Sequence, residues 1–578
     1  MKIARIAISV VCVVLIAAGC KKNFLDTEVN TKYSGDEAYG SYDKMVQSAN
    51  AVYNTLFDRF GFNRISGAML ASACDEADHA QPLSSIQQYN MGTWNAASNP
   101  ENYWNTFYES IKKANLFLDG TKDYKTILFR DTLVPNNKST YYEQVQQIQW
   151  FRAEARFLRA LFHFELMKRY GGVPVMDKVI YDEETLKVMP RQSYDSCTSF
   201  VVKECDSIIP LMNDTWVGKY DDKWRGRATK GSVMALKIKA LLYAASALNN
   251  TSNAIAKWEK AASAASDIIT AGKYSLNGSY AGLFQLATGT ADGNAEVLFA
   301  IQGVSATSGS GSTSSNVFDK ANIPVGYDQG GVNSTCPSQN LVDAYEMKST
   351  GLPIGEPGSH YDPSRPYADR DPRLTASILV NNTSFKGRPL ECWVGGLDGL
   401  GKPKATTTGY YLRKYIDESL DIVLNKSKAH SWILFRYAEV LLSYAEAMNE
   451  VYGPESKGSF SMTAKQAVDA VRIRAGMPKL DPGLSQSEMR EHIRNERRVE
   501  LAFEEHRFFD VRRWKIAEQT ENAPLMAMRI NKNDDGTFRY TVIKAEDRLF
   551  DKSKMYRFPI PQAEVLKSNG ALIQNENW

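Results

Sequence analysis

The chain has 578 residues, 43% of them hydrophobic, enough for a large packed core. Its 69 Lys and Arg are balanced by 66 Asp and Glu, leaving a formal net charge of +3, with no basic excess for nucleic acid to read. Beyond Cys12 and Cys20, the remaining cysteines are Cys74, Cys197, Cys205, Cys336 and Cys392, an odd set without CxxC or zinc spacing, read as scattered structural thiols.

The N-terminus carries an address. Lys2 and Arg5 precede an almost continuous apolar run, Ile6–Ala18. The run is shorter than the roughly 20 residues a membrane-spanning helix needs, and it fits the apolar region of a secretory signal peptide. Ala17-Ala18-Gly19-Cys20 then resembles a bacterial lipobox, with Ala17 where Leu is usual. The expected domain order is therefore a signal peptide over 1–19, then a lipidated Cys20 with a polar tether to residue 40. Diacylation of Cys20 would anchor the chain stably, since stable anchoring takes at least two acyl chains. No later stretch is apolar enough to span a bilayer.

A helical region is expected over 41–272. Met45, Ala49, Val52 and Leu56 share one face of a helix over Ser41–Asp58. Residues 75–100 read as loop, followed by a helix at about 101–119. Ile148–Tyr170 is a long helix stopped by Gly171-Gly172 and Pro174. Another runs over 193–212, to near Pro210. Thr229 caps a helix to about Leu248, and a second follows over Ala254–Ala271, a pair of tetratricopeptide-like length. A similar pair is expected at Ser431–Val451 and Thr463–Ala475.

The region 273–578 begins differently. Residues 273–430 are rich in Gly, Ser, Thr, Asn, Asp and Pro, and read as loops, short strands and short helices. Binding residues concentrate on such loops when a rigid scaffold holds them. Further on, Glu491–Trp514 carries Arg494, Arg497, Arg498, Arg507, Arg512 and Arg513 against Glu491, Glu496, Glu500, Glu504, Glu505 and Asp510. That cancelled cluster reads as ion-paired helix packing.

Several blocks together resemble the SusD/RagB family of outer-membrane nutrient-binding lipoproteins. They are RAEARFLRALFHFELMKRYGGVP from Arg152, ATKGSVMALKIKALLYAA from Ala228, RYAEVLLSYAEAMNE from Arg436, VRIRAGMP from Val471 and ERRVELAFEEHRFFDVRRW from Glu496. The closing FPIPQAEVLKSNGALIQNENW follows the family pattern, with Asn569-Gly570 replacing the usual Asn-Pro. The resemblance implies a mostly α fold, a tetratricopeptide-like helix-pair scaffold with a large loop-rich region, both regions packed as one body. It also implies a surface lipoprotein that captures an oligosaccharide or polysaccharide and delivers it to a TonB-dependent SusC-like transporter. Peptide binding, as in RagB-like members, is the alternative, and a secreted glycan hydrolase a more distant one.

A sugar offers an apolar C–H face and a hydroxyl rim, so its site needs exposed aromatics among polar loop residues. The segment Asp75–Asn95 has that texture, with Asp75, Asp78, His79, Gln81, Tyr89, Trp94 and Asn95. Asp78, Trp94 and Asn95 are the leading candidates there, although Trp94 beneath the loop would instead be core. A second stretch holds Phe318, Tyr327, Asp328 and Gln329, and a third holds Trp393 within ECWVGGLDG. No GxSxG, HExxH or Walker loop is present, and His163, His492 and His506 sit where structural roles are expected. The reading is of a binding protein, not an enzyme, with no cofactor, metal or nucleic-acid partner.

Overall fold

The computed structural model describes residues 37–59, 67–129, 133–218, 224–286, 290–302, 317–327, 332–424, 426 and 430–578. The basic leader, its apolar run, Cys20, Asp328 and Gln329 lie outside the described residues. The chain divides into two compact units. Of the described residues, the smaller comprises 37–48 with 120–129 and 133–148. Within it the Tyr42 hydroxyl donates to Gln147 and the Tyr39 ring lies against Gly120. The larger comprises Ala49–Asp119 with Gln149–Trp578.

The chain is mostly helical. Helix α1 spans Tyr42–Arg59 and buries Met45, Ala49, Val52 and Leu56, as their spacing requires. Helix α2 spans Trp104–Gly120. Helix α3 runs Pro135–Tyr170, beginning well before the expected Ile148. Proline is tolerated in a first helical turn, and the polar residues that follow carry no apolar stripe for periodicity to detect. Gly171, at φ +80°, ends it.

In the larger unit a series of helices packs neighbour on neighbour. Helix α4, Tyr194–Ile208, is capped by Ser193 and lies against α5, Lys230–Ala245. Thr229 and Ser232 form a capping box at the start of α5, each side chain satisfying a backbone N–H of the other. Helix α6, Ile255–Ala271, ends at left-handed Gly272 and packs on α5; its Ala261, Ala262, Ala264 and Ala265 are all buried. Its other neighbour is α7, Tyr437–Tyr452, which in turn contacts α8, Ala464–Ala475, and α9, Gln486–Glu500. Both expected helix pairs thus exist, and α6 joins one to the other.

The second pair needs one correction. Ser431–Arg436 is strand β2, not the first turns of a helix, and it pairs antiparallel with β1, Val297–Gln302. Trp432, Ile433 and Phe435 are buried β-formers, and the helix starts only at Tyr437. Residues 273–430 otherwise carry two-residue strands and helices of four to six residues among the described residues, in keeping with the expected loops, short strands and short helices. One hairpin was not anticipated: β3, Leu525–Lys532, and β4, Phe538–Glu546, turning through Asp535-Gly536. All five cysteines Cys74, Cys197, Cys205, Cys336 and Cys392 are free and buried.

The Glu491–Trp514 cluster forms a buried ion network. Arg436, 1% exposed, meets Glu296 at 2.7 Å, Glu500 at 2.6 Å and Glu504 at 2.7 Å. Arg373 meets Asp371, Glu496 and Glu500, and Arg474 also reaches Glu500. Arg513 bridges Asp510 and Glu446, while Arg497 holds Asp510 from α9. Burial pushes the Glu500 carboxyl up, but the guanidiniums of Arg474, Arg436 and Arg373 outweigh it and hold the group well below the usual range. A carboxyl depressed by folding adds stability above its unfolded value, about 4.3, and that stability is lost as pH falls through the folded value. Glu500→Ala should cost about 3–5 kcal/mol in denaturant unfolding at neutral pH, because it strands buried cations. The loss should shrink on acidification; a cost under about 1 kcal/mol at pH 7 would show the network to be unimportant.

Candidate functional site

The Asp75–Asn95 segment folds inward. Trp94 is 2% exposed, with ring centroids of Tyr89 at 5.0 Å, Phe558 at 5.1 Å and Trp578 at 4.7 Å. An indole packed this way is a core side chain, so the platform role expected of Trp94 is corrected to a structural one. Tyr89 is buried beside it and its hydroxyl donates to Asn99 at 2.6 Å. Asp78 is 4% exposed, its two oxygens accepting from Gln87 at 2.9 Å and Thr407 at 2.6 Å. Both belong to the interior scaffold rather than to an open site. Asn95 is exposed, and its side-chain oxygen accepts from the Ala97 and Ser98 amides, closing a turn.

Other residues of this stretch serve the core. Asp75 receives Arg498 and Arg507, both at 2.8 Å. The neighbouring Glu76 is pushed up to about 8, first by burial and then by the Asp75 charge. His79 is buried and accepts the Gln81 amide, whereas Gln81 itself is exposed. Phe318 is 1% exposed and packs on His430. His163 accepts the Met176 amide, and burial lowers it to about 4.

Tyr327 and Trp393 lie on two loops that are tied to one buried carboxylate. That carboxylate is Asp398, which is fully buried. One carboxylate oxygen accepts from the Gly326 amide at 2.9 Å and from Arg388 at 3.2 Å. The other accepts from Arg388 at 2.9 Å and the Glu391 amide at 3.1 Å. Asp398 therefore ties the turn before Tyr327, the strand residue Arg388 and the start of the Trp393 loop to one point. The Arg388 guanidinium lies 3.8 Å from the Tyr327 ring centroid, a cation–π contact. The Tyr327 hydroxyl donates to the Phe385 carbonyl at 2.8 Å, and burial lifts this phenol to about 12, keeping it a donor at neutral pH.

Trp393 is half-buried and rests on the β3–β4 hairpin. Its ring lies 5.4 Å from Phe538 and 4.8 Å from the Lys532 ammonium, two residues paired across the hairpin. The Val394 amide donates to the Ile530 carbonyl at 2.9 Å, docking the loop on β3. The glycines of VGGLDG are needed for this path. Gly395 has φ +93°, and a side chain at Gly399 would collide with the Trp393 carbonyl. Val394 and Leu397 of the same loop remain 48% exposed. The two loops thus carry half-buried aromatic rings, apolar neighbours and fixed charged groups, residue types that can cover a sugar face and meet its rim. Arg388, Asp398, Lys532 and Phe538 were not singled out from sequence; the glycine-rich run around Trp393 was the one available signal. Among the described residues, no group of three or more His, Cys, Asp or Glu is placed to hold a metal ion.

Comparisons with known proteins agree with this architecture. Residues 295–578 match the SusD family, and residues 23–269 match a family described as starch-binding and associating with the outer membrane. SusD-like protein P25 of Formosa agariphila is 24% identical over 432 residues, covering 72% of this chain and 70% of that protein. SusD-like protein P38 of the same organism is 21% identical, covering 87% and 90%. A SusD-like protein from Bacteroides fragilis superposes with a TM-score of 0.75 at 25% identity, covering 93% of this chain and 98% of that one. A SusD-like carbohydrate binding protein from the same species gives 0.73 at 25% identity, covering 92% and 98%. A laminarin binding SusD-like protein shares the fold, with a TM-score of 0.63 at 21% identity, covering 93% and 99%. The chain belongs to the SusD/RagB-like family.

Placement of the two tryptophans predicts unequal losses. Trp94→Ala should cost about 3–5 kcal/mol, the range for emptying a buried Trp site. Trp393→Ala, at a half-buried position, should cost less, about 1–2 kcal/mol. Equal losses in urea melts of the two variants would contradict the assignment of one to the core and the other to the surface.

Proposed function

We propose that this SusD/RagB-like chain is a cell-surface glycan-binding lipoprotein. It captures an oligosaccharide or polysaccharide and passes it to a TonB-dependent SusC-like transporter in the outer membrane. The observation that carries the capture step is the tie at Asp398 between the loops that carry Tyr327 and Trp393, the one ring lying against Arg388 and the other against the β3–β4 hairpin. Asn95 is kept as an outlying polar contact, being exposed on its turn.

Family description and the carbohydrate-binding and laminarin-binding neighbours favour a glycan over a peptide. No helix of the described residues is long and apolar enough to cross a membrane, and acylation of Cys20 is the proposed means of attachment. The protein needs no chemistry of its own in this role. Stacking supplies the apolar part of the affinity, and the hydroxyl rim is met by Arg388, Lys532 and backbone groups of the 391–399 loop.

The test is affinity electrophoresis of residues 22–578 in gels containing a panel of polysaccharides, beside a peptide titration. Retardation by one glycan should weaken tenfold or more, about 1.4 kcal/mol, in Trp393→Ala and in Tyr327→Ala. Retardation unchanged in both variants would remove these loops as the capture site. Saturable peptide binding with silence on every glycan would replace the glycan reading by peptide uptake.

A further inference from the structure

The β3–β4 hairpin has two outer edges, and only one of them is used. The β3 edge is consumed by three other segments. The Met526 amide donates to the Asn340 side chain at 2.7 Å, the Met528 amide to the Thr408 carbonyl at 2.8 Å, and the Val394 amide to the Ile530 carbonyl at 2.9 Å. The β4 edge is bare. Its strand neighbour is β3 alone, and among the described residues no hydrogen bond from any other segment reaches the backbone of Phe538–Glu546. Nine extended residues make an edge of about 30 Å, at roughly 3.4 Å per residue. Such an edge presents a row of N–H and C=O groups, a template for another strand.

Folded proteins blunt such edges with proline, short strands, bulges or inward-pointing charges. Strand β4 has no proline, and its bulge falls only at Lys544 and Glu546, at its far end. The run before the bulge is Phe538-Arg539-Tyr540-Thr541-Val542-Ile543, and all but Arg539 favour extended structure. The body holds this run from one face. Phe538 meets Trp393 at 5.4 Å and Tyr540 meets Tyr367 at 5.6 Å between ring centroids. With a period of two, Arg539 and Thr541 take the opposite face, where both are exposed.

Charge selects the occupant. On β3, Arg529 lies opposite Thr541 and is also exposed. Neither Arg529 nor Arg539 is bonded to a carboxylate among the described residues. Lys544 adds a third cation, 54% exposed beside Asp547. The one acid of β4, Glu546, is held by Arg548 at 2.6 Å. A second copy of the chain would bring its own Arg539 and Lys544 to an edge that already carries these cations. Opposite charges on adjacent strands attract and like charges repel, so an acidic strand fits where a second copy does not.

We propose that the free edge of β4 is a docking site for an extended acidic segment of a partner protein, which joins the hairpin as a third strand. Main-chain hydrogen bonds to the edge supply the affinity. Carboxylates beside Arg539, with Arg529 behind it, supply the selectivity. The site asks nothing of a glycan, and it stands whether or not the Tyr327 and Trp393 loops bind one.

The experiment is fluorescence anisotropy of labelled nine-residue peptides titrated with residues 22–578. Three peptides alternate Val or Thr with Glu, with Gln or with Lys. The Glu peptide should bind about tenfold or more tighter than the Gln peptide, and the Lys peptide weakest. Charge reversal at two exposed positions, Arg529→Glu/Arg539→Glu, should invert that order, so that the variant's gain for the Lys peptide also shows it to be folded. Hydrogen–deuterium exchange reads the backbone: amides within 538–543 should slow when the Glu peptide is added. The proposal is overturned if the Glu peptide fails to bind, if it binds without slowing those amides, or if the order of the three peptides is unchanged in the double variant. A dimer of the chain in sedimentation that itself slows the same amides would also overturn it, by giving the edge to a second copy.

Discussion

The organisation of the larger unit depends on the burial of Arg436 among Glu296, Glu500 and Glu504. These groups come from segments far apart in sequence: the approach to β1, the end of β2, the end of α9 and the loop beyond it. A guanidinium without water tolerates few arrangements, because each N–H must find an acceptor and each carboxylate a donor. Arg373 and Lys414 extend the same network into the irregular region, through Glu496, Glu500 and Glu504. A loop-rich region with little regular hydrogen bonding is in this way registered against the helices by charge. Apolar packing alone would leave more registers open, since apolar contacts are non-directional.

The same logic recurs at smaller scale around Asp398. A single buried carboxylate collects two backbone amides and one guanidinium, and so holds together two loop segments and the two-residue strand of Arg388. In the proposed capture role, loops held in this way before a ligand arrives would leave less binding free energy to be spent on ordering the site.

The helices were the most legible part of the sequence, and the reason is physical. Thr229 reads as the N-cap of α5 and closes a capping box there, and Gly171-Gly172 reads as the stop of α3, which Gly171 ends in left-handed geometry. The Glu491–Trp514 cluster was legible as ion-paired packing because its charges cancel. Strand β2 was misread because its apolar residues run directly into those of α7, and a short apolar run has no period of its own. The first turns of α3 were missed for the opposite reason, having no apolar stripe.

The site was only partly legible because local texture does not encode burial. Trp94 and Trp393 both sit in polar, glycine- or asparagine-containing stretches. What separates them is distant partners: Phe558 and Trp578 close over the first, whereas a two-stranded hairpin supports the second and leaves it partly open. Those partners lie about 145 to 485 residues away along the chain, beyond the reach of any local pattern. The stronger local signal was the glycines. A run such as Gly395-Gly396-Leu397-Asp398-Gly399 specifies a backbone path that side chains would block, and it ends on the carboxylate that fixes the loop. A ring presented by such a loop is held from below by hydrogen bonds rather than enclosed by packing, which is the condition for leaving part of its surface to a ligand.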